Sequence, residues 1–103
     1  KARLLGVSRE TLNRHGAVSP QTAAEMAAGA RQTLHTEVAV SVTGIAGPGG
    51  GTPEKPVGLV YLHLSAPDVE MGERLQWAGT RIENKWHSAE AALQLLLRYL
   101  QIV

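Results

Sequence analysis

Cysteine is absent from the 103 residues, which excludes a disulfide frame, a thiolate nucleophile and a cysteine zinc site. Aromatic residues are scarce, at 4%, and phenylalanine is missing altogether. A surplus of either charge is lacking too: ten Lys+Arg stand against nine Asp+Glu, a net charge of +1, and the two signs are interspersed. With no basic stripe, neither nucleic acid nor an anionic membrane surface is an expected partner. There is also no apolar run of membrane length and no signal peptide, so the cytoplasm is the expected compartment. The length allows one small domain, residues 1–103, with a modest core and a thin margin of stability.

Glycine and proline are plentiful, and they are concentrated in one place. Between Gly44 and Pro56 lie five glycines and three prolines, bounded by the apolar runs Val38–Thr43 and Val57–Leu64. That is the pattern of strand, Gly-rich loop, strand. Residues that permit positive φ or lock φ, gathered between two β-rich runs, specify one backbone shape, often one that lets main-chain N–H groups approach a ligand. The same pattern also suits a wide turn with no ligand. Known phosphate loops do not fit: Lys55 is followed by Pro56 and a strand rather than by Ser/Thr and a helix, and Thr52 occupies the place of the third glycine of a dinucleotide fingerprint.

In chain order, Lys1 to Leu5 reads as a helix end stopped by Gly6. Ser8 caps a short helix to about Arg14, with Val7 and Leu12 placed as a hydrophobic staple, and His15-Gly16 ends it. Ser19-Pro20 starts a second helix to about Thr33, with Ala23, Met26, Ala27, Ala30 and Leu34 on one face. Small residues dominate that face and suit close packing on a sheet. The strand Glu37–Thr43 alternates; Val57–Ser65 is apolar on both faces and should be central; Val69–Ala78 is more polar and should be an edge strand in a hairpin with it. Thr80 to Glu83 forms a capping box, behind which Ile82, Trp86, Ala89, Leu93, Leu96 and Leu100 repeat at the spacing of a helix buried along one stripe. The expected fold is a three-layer α/β/α structure on a small mixed sheet. Three strands leave an edge and faces uncovered, and the opening KARLLGV, without methionine, places apolar side chains that need a core; a first strand and helix are expected upstream.

Few residues are candidates for chemistry by type and place. Lys1 is either a base or a solvated helix residue. Thr43 ends the first strand at a sheet rim, where α/β proteins bind ligands, although a hydroxyl there also serves as a turn bond to its own backbone. Arg81 opens the last helix, where the macrodipole favours an anion, so a cation there hints at a bound phosphate. Glu54 and Lys55 can pair across the loop, and Trp77 and Trp86 read as core or interface rather than stacking platforms. His15, His35, His63 and His87 are scattered without metal spacing, so no metal is expected.

The segment TGIAGPGGGTPEKPVG resembles the C-terminal domain of the competence/damage-inducible CinA family, found also as a stand-alone nicotinamide-nucleotide amidohydrolase. HGAVSPQTAAEMAAGA and LLGVSRETL resemble the family's preceding segments, so the likeness covers essentially the whole chain. It implies a domain longer than this chain, whose first part holds a Ser-Cys-Thr-Gly-Gly motif with the nucleophilic serine and a Tyr-Ser-Asn-x-x-Lys motif whose lysine is matched by Lys1. It also implies hydrolysis of the carboxamide of nicotinamide mononucleotide (NMN) to nicotinic acid mononucleotide and ammonia, in pyridine nucleotide salvage, without metal or cofactor. Carried over on this basis, Lys1 is the base or proton shuttle, Thr43 supports the nucleophile or amide, Gly44 and Gly47 shape the pocket wall, and Arg81 partners the nucleotide phosphate. A homo-oligomer is the expected assembly. The sequence departs from the family at Thr80, where the family has Asp, and at Lys85, which stands for a second Arg and keeps the charge without the bidentate fork. The alternative is a non-catalytic nucleotide-binding, regulatory or oligomerisation module.

Overall fold

The computed structural model describes residues 6–102. The described elements are α1 (Arg9–His15), α2 (Pro20–Leu34), β1 (Ala39–Gly44), β2 (Leu59–Ser65), β3 (Glu70–Gln76) and α3 (Arg81–Ile102). The helix starts follow the capping residues. Ser8 Oγ accepts the Thr11 N–H at 3.0 Å to open α1. Ser19 Oγ accepts the Thr22 N–H at 3.1 Å, and Pro20 takes the first position of α2, where its missing N–H costs nothing. At α3 the Thr80 N–H donates to Glu83 and the Glu83 N–H donates to Thr80 Oγ1, at 2.9 and 3.2 Å, completing the capping box. The hydrogen bonds that the Glu83 carboxylate accepts from the Thr80 backbone N–H and from the Thr80 side chain hold it below its ordinary range.

The sheet has the order β1-β2-β3, with both described pairings antiparallel. The α/β class is as expected, but a mixed sheet needs a parallel neighbour, and none is present among the described residues. Registers pair Thr43 with Tyr61 and Val42 with Leu62, and β2 is central, its side chains covered on both faces. Odd-numbered residues of β1 and β2 face α2. Ala23 and Ala27 are fully buried there, and Ser41 Oγ reaches the Ala23 carbonyl, a contact that the small side chains of α2 make possible. Even-numbered residues face α3, where Val60, Leu62, Leu64, Ala66, Leu95 and Tyr99 form the core cluster. Burying a leucine such as Leu62 or Leu95 contributes about 1.5–3 kcal/mol.

Two sequence expectations about packing are corrected. Leu34 is 65% exposed rather than packed on the inner face of α2. On α3 most of the stripe expected to be buried is outside: Ile82, Trp86, Ala89, Leu93 and Leu100 are exposed, Trp86 at 71%, while Leu96 is half-buried against the core cluster. The face on the sheet carries Asn84, Ser88, Leu95 and Tyr99 instead. Asn84 and Trp86 are two residues apart, roughly 200° around the helix at about 3.6 residues per turn, so α3 has two apolar faces. Periodicity detects both and cannot say which one meets the sheet. The helix expected at Lys1 to Leu5 lies outside the described residues.

Candidate functional site

At the C-terminal end of β1 the sheet, the Gly-rich loop and the start of α3 enclose a cavity of about 260 Å³, lined by Val42, Gly44, Ala46, Val60, Arg81, Asn84, Lys85 and Ser88. Its floor is made by strand residues that alternate toward α3. Gly44 is required by close approach, since a Cβ there would lie 2.7 Å from Val60 Cγ2 and 2.8 Å from the Leu59 carbonyl oxygen. Its rim is the loop, entered by antiparallel bonds from Ile45 N–H to the Leu59 carbonyl at 2.9 Å and from Gly58 N–H to the Ile45 carbonyl at 2.6 Å. Gly47 sits at φ +94° with its missing Cβ directed at Val57 Cγ1, 2.6 Å away, so any side chain is both strained and obstructed. The Gly47–Pro48 peptide is cis.

The first turns of α3 hold this rim. Arg81 donates to the Gly47 carbonyl at 3.1 Å, and Asn84 Nδ2 donates to the neighbouring Ala46 carbonyl at 3.0 Å. Lys85, four residues beyond Arg81, adds a second cation to the lining. Two positive groups at the positive end of a helix dipole suit an oxyanion such as a phosphate monoester. A larger groove of about 440 Å³ lies between β3 and α3, lined in part by Trp77, His87 and Arg98, but the Arg98 charge is already paired with Glu73 at 2.8 Å. Among the described residues no group of three or more His, Cys, Asp or Glu is placed to hold a metal ion.

The structure brings Gly44, Arg81 and, at the loop rim, Gly47 into one site. Thr43 is not with them. Strand alternation turns its side chain to the α2 face, where Oγ1 donates to the Ala17 carbonyl at 2.7 Å, so the hydroxyl anchors the α1–α2 connection to the strand end. Lys1 lies outside the described residues. The expected Glu54–Lys55 pair is replaced by a longer reach: Lys55 Nζ donates to the His15 carbonyl at the end of α1, where a cation complements the helix dipole. Asn84 and Ser88 were not apparent from sequence. The one available signal was a weak helix former, Asn84, set inside a strongly helical run.

A three-layer α/β/α domain with an anion-suited pocket at a strand end is the class of protein that fold and site define. A family model described as "CinA C-terminal domain" matches residues 1–100, and the chain belongs to that family. It is 48% identical over 100 residues to a CinA-like protein of Kosmotoga olearia, a match covering 97% of this chain and 24% of the relative. Among solved structures it superposes on the competence/damage inducible protein CihA of Agrobacterium tumefaciens with a TM-score of 0.90 at 43% identity, covering 94% of this chain and 60% of that one. A CinA superfamily protein of Escherichia coli gives a TM-score of 0.89 at 32% identity, covering 96% and 58%. The chain therefore spans about a quarter of such longer relatives and about three fifths of these solved chains.

Proposed function

We propose that this chain supplies the nucleotide-phosphate end of an NMN deamidase site, in a cytoplasmic and homo-oligomeric protein. The observation that carries this reading is the cavity at the end of β1, where Arg81 and Lys85 stand beside a backbone loop already held in shape. Family membership supports it, because the same loop sequence carries the resemblance to the nicotinamide-nucleotide amidohydrolases.

In the proposed reaction a serine from outside this chain attacks the carboxamide carbon, and Lys1 accepts the serine proton. The tetrahedral oxyanion collapses as the nitrogen takes a proton and leaves as ammonia; water then cleaves the acyl-serine ester to give the carboxylate and restore the serine. A neutral Lys1 would need burial or a neighbouring cation to lower its pKa. Thr43 acts in this scheme through position: its bond to Ala17 fixes the connection between α1 and α2 against the strand end that opens on the pocket.

Titration of the complete protein with NMN and with nicotinamide riboside tests the phosphate assignment. Affinity for NMN at least about tenfold above that for the riboside, or about 1.4 kcal/mol, is expected. Equal affinity contradicts it. The second reading, an assembly module, is favoured by the exposed apolar stripe at Ile82, Trp86, Leu93 and Leu100. Oligomer formation with neither NMN binding nor ammonia release would support that reading instead.

A further inference from the structure

We propose that Asn84 is a positioning residue that ties the Gly-rich loop to the β3–α3 junction and so sets the shape of the pocket rim; as a statement about nucleotide binding this rests on the reading above. Asn84 is 1% exposed, and its side chain faces two segments remote from each other in sequence. Its Nδ2 donates to the Ala46 carbonyl at 3.0 Å, and its Oδ1 accepts the Gly79 N–H at 3.0 Å. A buried amide is costly unless both halves are partnered. Here both are, each by a main-chain group outside the helix. An apolar residue at this position would suit a helix interior better, but would leave the Ala46 carbonyl and the Gly79 N–H without these partners.

Asn84 and Arg81 divide the work. Arg81, three residues earlier, takes the next carbonyl, that of Gly47, so two consecutive loop carbonyls are drawn onto the first turns of α3. Arg81 is an exposed residue on the cavity lining, and its guanidinium has N–H donors beyond the one given to Gly47. Asn84 is buried, with its oxygen and one N–H already engaged within the protein. It acts on ligand through Ala46, which lines the cavity alongside it.

The test uses Asn84→Asp in the complete protein, which keeps size and the acceptor for Gly79 while removing the donor to Ala46. Amide hydrogen exchange in the free protein is read first. Exchange at Ile45 and Gly58, whose N–H groups bond across the loop entrance, should accelerate about five- to tenfold, the effect of losing one hydrogen bond, while Gly79 and the β2 core amides stay protected. NMN affinity should fall by a similar factor. Asn84→Gln, which keeps both groups on a longer stem, serves if the aspartate variant does not fold, and should shift the same loop amides. Loop exchange at the wild-type rate overturns the assignment, as does a loosened loop with unchanged NMN affinity. If wild-type protein fails to bind NMN, the nucleotide reading falls separately, and the exchange data alone decide whether Asn84 holds the loop.

Discussion

Arg81 at the start of α3 donates to the main-chain carbonyl of Gly47, 34 residues earlier, at 3.1 Å. A cation at a helix N-terminus opposes the macrodipole, and this bond, together with the anion-suited cavity beside it, accounts for its presence. Arg81→Lys and Arg81→Met separate the two tasks. Both variants lose the planar fork, but only lysine keeps the charge. NMN affinity, measured by calorimetry at low and high salt, should fall in both and lie about tenfold lower in Arg81→Met, with the gap between them closing as salt rises. An equal loss in both variants at low salt would show that charge at this position does not matter.

The α1–α2 pair is sensitive to acid through Glu25. Its carboxylate accepts the Thr11 hydroxyl and the Ser8 N–H, the latter at 2.8 Å, and these bonds hold its pKa below the ordinary glutamate value. A depressed folded-state pKa contributes stability that is present above the unfolded value, about 4.3, and is lost as pH falls through it toward the folded value. Urea unfolding should show wild type more stable than Glu25→Gln at neutral pH, with the difference shrinking below about pH 4.3. A difference that grows on acidification would contradict this linkage.

Leu93 and Leu95, two residues apart on α3, have opposite surroundings, 55% and 1% exposed. In this chain Leu95→Ala should cost about 2–5 kcal/mol by leaving a cavity in the core. Leu93→Ala should stay within about 0.5 kcal/mol, as for a surface position. Denaturant melts of both variants in the isolated chain check the assignment of the two faces, and similar losses would place Leu93 in the core after all.

The elements were legible because their boundaries are written in local chemistry: Ser8, Ser19-Pro20 and the Thr80–Glu83 box each act within one turn of chain. The central place of β2 was legible from its two apolar faces. What failed was long-range. The choice between the Trp86 face and the Leu95 face of α3 depends on what each meets, and no periodicity carries that. Gly44, Gly47 and Arg81, which the structure gathers around one cavity, stand out because a glycine cluster and a misplaced cation are visible in the sequence. Thr43 was assigned to the strand end correctly but to no face, and pairing with Tyr61 turns it toward α2. Asn84 and the Lys55–His15 contact join segments 38 and 40 residues apart and leave almost no local trace.

The most direct measurement is ammonia release from NMN by the complete protein, wild type beside Arg81→Ala, with NMN varied across its saturation range. Release by wild type, with kcat/KM at least about tenfold lower in Arg81→Ala and most of the loss in KM, is the expected result. No ammonia from folded wild-type protein, or equal kinetics in the two, would contradict a deamidase whose phosphate end is built from this loop and helix.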